Sequence, residues 1–128
     1  MVRKKITRLV LERDGYRCAI AGPDCLGVAS CPDHRAGRGH GGDSTRLLDD
    51  PANLIAACGF CNGRKEDATG AWAEDLIRRG IRVLRYGQRA DQILERVRQT
   101  PVEYPDRVWW TLTSDGARVP CLTVGGQS

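Results

Sequence analysis

Four of the six cysteines in this chain fall into two pairs, Cys18 with Cys25 and Cys58 with Cys61. No other feature constrains the fold as much. The Cys-x2-Cys spacing of the second pair lets two thiolates reach one metal ion from a tight turn, and the wider upstream pair can complete the shell. Soft sulfur donors in tetrahedral number make Zn(II) the expected ion, and a closed shell leaves no position for substrate, so the expected role is structural. Cys31 competes with Cys25 as the fourth ligand, although Cys25, close to the Gly22-Pro23 turn, is better placed. The simplest role for the cysteines left over, Cys121 among them, is as small core residues.

A structural metal suits the rest of the composition. The 128 residues amount to one modest domain, and aromatics at 5% with fifteen glycines give a thin core and many turns. No apolar run approaches the roughly 18 to 20 residues that cross a bilayer, and the basic start, Met1 to Val10, has no apolar stretch behind it. The expectation is a soluble, cytoplasmic protein with no membrane partner, in a reducing compartment where metal ligation is the usual fate of paired cysteines. Charge is unevenly spread. Through Lys65 there are eleven Lys and Arg against seven Asp and Glu, and after it nine against nine, so the whole net charge of +4 lies in the first half. Positive charge beside cysteines and histidines points to a polyanionic partner.

Apolar spacing predicts a helix over residues 6–14 closed by Gly15, a short strand over 28–31, and a polar, glycine-rich loop over 36–50. Apolar character returns at 52–57, and residues 58–66 either start a further helix or lead into one. Further on, the pattern predicts helices over 68–79 and 90–99, a strand over 81–85, and a hairpin of 108–113 with 117–124 around Ser114-Asp115-Gly116.

Between and beside the cysteine pairs stand Asp33-His34-Arg35, a Gly-rich stretch with Arg38 and His40, Asn53-Leu54, and then Cys58-Gly59-Phe60-Cys61-Asn62-Gly63-Arg64-Lys65. Several independent elements in this order resemble the HNH endonuclease family, especially its small zinc-bearing phage members. The resemblance covers residues 11–66 and implies a ββα-metal (His-Me finger) fold: two strands joined by a loop, then a helix, around one divalent ion. The overall class would then be α+β, with an HNH core and its four-cysteine zinc site in residues 1–67. Residues 68–128 would form a helical and β-hairpin extension packed on it.

The resemblance implies that His34 is the general base, suited by an imidazole that titrates near neutral pH. Asp33 would bind a catalytic Mg(II) or Mn(II), hard ions that prefer oxygen. Asn53 would hold the loop and orient the histidine, and Asn62 would complete the ion's shell. Adjacent strand residues point to opposite faces, so Asp33 and His34 can serve different purposes. Arg35, Arg38, Arg64 and Lys65 are expected on DNA phosphates, with His40 a weaker candidate for such a contact. The function implied is metal-dependent cleavage of DNA, with DNA and phage packaging proteins such as terminase as partners, in the host cytoplasm. The competing reading is a zinc-ribbon DNA-binding module without catalysis, which accounts for the cysteines and the charge but not for Asp33-His34 joined to Asn53 and Asn62.

Overall fold

A computed structural model describes residues 2–37 and 45–121. Among these the chain is mixed α and β, with two small antiparallel sheets and three α-helices. Helix α1 (Lys4–Arg13) forms where the spacing of Ile6, Leu9 and Val10 predicts it, and it buries Val10 and Leu11. It gives way at Gly15, whose φ of +65° is left-handed backbone that glycine adopts freely. Strands β1 (Cys31–His34) and β2 (Leu54–Ala57) pair antiparallel, with Asp33 opposite Ile55 and His34 opposite Leu54. The strand expected over 28–31 thus begins three residues later, and Val28 forms an isolated bridge to Arg17.

All four residues of β2 are buried because the strand is covered on both faces. Side chains alternate along a strand, so Leu54 and Ala56 pack with Val10, Leu11 and Ala29, while Ile55 and Ala57 join a second cluster on the other face. That second cluster holds Cys18, Cys58 and Cys61 together with Leu76, Ile81, Val102 and Leu112. Residues from both sides of position 67 therefore share one core. Full burial of side chains such as Leu76 and Ile81 contributes about 1.5–3 kcal/mol each.

Polar clamps fix α1 to this layer. Asp14, just past the helix, accepts hydrogen bonds from the Ala56 N–H (2.9 Å) and the Tyr104 hydroxyl (2.6 Å). Arg13 donates to the carbonyls of Pro51 (2.9 Å) and Leu54 (2.7 Å).

Beyond position 67, helix α2 (Gly70–Arg78) starts two residues later and ends one earlier than its pattern, and helix α3 (Ala90–Gln99) matches its pattern. Strands β3 (Val102–Glu103), β4 (Trp109–Leu112) and β5 (Arg118–Pro120) make the second sheet in the order β3-β4-β5. The hairpin forms around Ser114-Asp115-Gly116, and the stretch predicted from 122 to 124 lies outside the described residues. No helix among the described residues is long and apolar enough to cross a membrane.

One expected element is replaced by other structure, and for a second segment the structure decides between two readings. Residues 81–85 are not a strand: the N–H groups of Ile81 and Arg82 return to the Leu76 carbonyl and that of Val83 goes to the Arg35 carbonyl, so no ladder forms. The alternation itself is real, since Ile81 and Val83 are both buried. Residues 58–66 do not themselves start an α-helix but lead toward α2 through turns and a 3-10 segment at Arg64–Asp67. Here the chain wraps Cys58 instead of propagating a helix: Cys61 N–H donates to Cys58 Sγ (3.2 Å), Asn62 N–H to the Cys58 carbonyl (3.0 Å), and Gly63 sits at φ +83°.

Candidate functional site

The thiols of Cys18, Cys25, Cys58 and Cys61 lie within 4.8 Å of one another. Cys25 Sγ and Cys58 Sγ are 3.9 Å apart. Tetrahedral zinc with Zn–S bonds of about 2.3 Å needs sulfurs about 3.8 Å apart, so the four residues fit such an ion. Backbone N–H groups already point at the sulfurs, from Leu26 (3.5 Å) and Cys61 (3.2 Å) to Cys58 and from Gly27 (3.3 Å) to Cys25. Burial opposes ionisation of Cys58, but the N–H groups of Leu26, Cys61 and Phe60 and the Cys61 thiol together outweigh it and push the thiol down to about 6. Burial pushes Cys18 and Cys61 up instead. A divalent cation reverses that balance by favouring every thiolate around it. The geometry also decides between Cys25 and Cys31. The Cys31 thiol donates to the Ala57 carbonyl (3.4 Å) and is not one of the four.

Strand β1 presents Asp33 and His34 in opposite directions, as alternation requires, Asp33 on the face of Ile55 and His34 on that of Leu54. His34 Nε2 lies 2.7 Å from Asp49 Oδ1. An ionised carboxylate only accepts, so in the neutral imidazole this contact selects the tautomer with the proton on Nε2 and makes Nδ1 the acceptor. The imidazole is part exposed, whereas Asp49 is buried in a short 3-10 turn, Leu47–Asp49. Sequence reasoning missed Asp49, and no spacing around it offers a signal. It is brought to His34 by a turn packed against α3, a contact that only the tertiary structure makes.

His34 and Asn62 line one open groove of about 690 Å³, together with Lys4, Thr7, Arg8, Tyr16 and Pro32. Asp33 is 8% exposed and faces the turn after the second cysteine pair, where Oδ2 accepts from Gly63 N–H (3.4 Å). Burial pushes its carboxyl up, against the pull of the Lys65 ammonium and the Gly63 N–H.

Asn53 is fully buried and holds the loop after β1. Its side chain accepts from Ala36 N–H (2.9 Å) and donates to the carbonyls of Ala36 (3.0 Å) and Leu48 (2.9 Å). It thereby ties the segment following His34 to the turn that carries Asp49.

Two expected phosphate contacts need correction. Arg35 is fully buried, and its guanidinium donates to the carbonyls of Gly80 (2.8 Å), Ala52 (2.8 Å), Val97 (3.0 Å) and Thr100 (2.6 Å). It rivets β1 to the C-terminal half and presents no donor to solvent. Gly80 makes this possible: at φ +73° a Cβ there would lie 2.1 Å from the Pro101 carbonyl oxygen. Lys65 is also fully buried, with its ammonium 3.7 Å from Asp33 Oδ1 and 2.5 Å from Glu66 Oε1. Neighbouring charge is the signal that sequence offers at both positions, and burial is what it does not report. Arg64 is exposed and stacks over the Phe60 ring at 3.9 Å. Arg38 and His40 lie outside the described residues.

Among known proteins, the chain is similar to the Gene 4 protein of Mycobacterium phage D29, with 36% identity over 61 residues. The match takes in 48% of this chain and 54% of that protein, so it spans about half the length of its relative. No family model matches the chain, and no solved structure matches it.

Proposed function

We propose that this chain is a metal-dependent endonuclease of the HNH type, built on the β1–β2 pair and stapled by zinc at Cys18, Cys25, Cys58 and Cys61. The observation that carries this reading is the His34–Asp49 pair at the edge of an open groove, with Asn62 in the same groove. Asp49 fixes the imidazole tautomer, so Nδ1 is free to take a proton from a water aimed at phosphorus. Asn53 sets the position of that imidazole by locking the loop behind it.

Asp33 offers one carboxylate, and a hard divalent ion such as Mg(II) commonly takes one or two protein carboxylates and keeps waters. Asp33 accepts from the N–H of Gly63, the residue after Asn62, so the backbone that carries Asn62 is tied to the strand that carries Asp33. When bound there, Mg(II) or Mn(II) would stabilise charge on the phosphate and on the leaving 3′-oxygen. Lys65 already faces Asp33 and shares that carboxylate with any ion that binds. Sequence similarity to a phage protein supports a phage setting, and a role beside terminase in DNA packaging is the corresponding cellular proposal.

The test is incubation of supercoiled plasmid with purified protein and Mg(II), Mn(II), Ni(II) or no added ion. Nicked or linear product only with added ion is the expected outcome. DNA binding without nicking under every ion would favour the zinc-ribbon binding module instead.

A further inference from the structure

The burial of Arg35 and Lys65 leaves the proposed site without two of its expected phosphate contacts, and the groove itself shows what replaces them. We infer that the N-terminal half of α1, through Lys4 and Arg8, forms the track that seats the phosphodiester backbone of a polynucleotide across the groove holding His34 and Asn62. This rests on the nuclease reading for what happens at His34, but not for the binding itself.

Lys4 and Arg8 are four residues apart, hence on one face of the helix, and both line the groove with His34 and Asn62. They are exposed, and neither forms an ion pair among the described residues, in contrast to Arg78, Arg79, Arg89 and Arg98. The first turn of α1 holds no acidic residue. Cations in a first turn oppose the helix dipole, so Lys4 and its neighbours Arg3 and Lys5 do not serve the stability of the helix. An anion laid across that turn relieves the conflict and meets both side chains at once. Tyr16 lines the same groove and has an exposed side chain, held on left-handed backbone at φ +58°, where a bulky side chain is strained. A ring kept exposed at such a position is consistent with contact to a ligand.

The experiment is anisotropy of a short fluorescein-labelled DNA duplex with the full chain, without added divalent ion, titrated with salt. The Lys4→Gln/Arg8→Gln double variant is compared with wild type and with Arg89→Gln, an exposed arginine in the other half of the chain. Two lost phosphate contacts should weaken binding at least about tenfold and reduce the salt slope by roughly 1.8, at about 0.9 per contact. Arg89→Gln should match wild type. Thermal stability of the double variant should be unchanged or raised, because both side chains are exposed and Lys4 opposes the dipole. Equal affinity and slope for the double variant and wild type would overturn the inference. So would an equal loss in Arg89→Gln, which indicates a diffuse charge effect, or a wild type that binds no duplex. The plasmid assay scores the nuclease reading separately. Cleavage by wild type with unaltered binding by the double variant removes the track and keeps the enzyme. Binding lost in the double variant with plasmid intact under every ion does the reverse.

Discussion

Asp49 reaches His34 across 2.7 Å from a turn fifteen residues further along the chain, and Asn53 hydrogen-bonds both the loop after His34 and the turn that carries Asp49. Asp49 therefore holds the imidazole directly, and Asn53 fixes the two backbone segments that carry the pair. In the proposed nuclease such support would matter, because a misdirected base loses most of its effect even when its chemistry is intact.

His34→Ala should abolish plasmid cleavage while zinc content and duplex affinity stay close to wild type, because a base acts on water. The expected loss is about 10² to 10⁴ in rate. Asp49→Ala should lower the rate while leaving the Kd for DNA unchanged, and Asp49→Asn, whose amide oxygen can still accept from Nε2, should recover part of it. If Asp49→Ala cleaves at the wild-type rate, the pair is only a surface contact.

Zinc should be present at one ion per chain, and Cys58→Ser should unfold the domain, whereas Cys31→Ser should keep both zinc and fold. In the metal-free chain the Cys58 thiol is held down at about 6, below its ordinary value of 9.0, so the stability it contributes there is lost as pH falls through about 6. Metal release should follow the same direction, since acid competes for every sulfur. Elemental analysis of protein dialysed at descending pH reads it out, and a zinc-free protein with a full thermal transition would sink the assignment.

Arg35→Met should cost at least about 3 kcal/mol, because three buried carbonyls and the part-buried Thr100 carbonyl lose their donor at once. Arg35→Lys should rescue little, since a point ammonium cannot span the fork between Ala52, Gly80, Val97 and Thr100. Urea denaturation measures this directly. A surface phosphate contact would give the opposite pattern, with normal stability and weaker DNA binding.

Asn53→Asp places a carboxylate against the carbonyls of Ala36 and Leu48, where the amide N–H groups were. It should destabilise the fold by about 1–3 kcal/mol, because both carbonyls lose their donor and face an acceptor instead. In a destabilised but folded variant the cleavage rate should fall further than DNA affinity, because the loop after His34 loses its anchor.

Much of this was written in local pattern. The helical spacing of Ile6, Leu9 and Val10, the turn at Ser114-Asp115-Gly116 and the Cys-x2-Cys pair each depend on residues a few positions apart, so they can be read from the chain directly. The grouping of Cys18, Cys25, Cys58 and Cys61 was also accessible, because only paired spacing and sulfur chemistry were needed to propose it. Tertiary structure decided the rest. It separated Cys25 from Cys31 by placing the Cys31 thiol against the Ala57 carbonyl, and it turned the segment after Cys58 into a wrapped turn rather than a helix. It buried Arg35 and Lys65, which look like surface charge in sequence, and it supplied Asp49 to His34. Charge and spacing record which groups a chain owns; whether a group meets water, a carbonyl or another side chain depends on contacts between distant segments, and those exist only once the chain has folded.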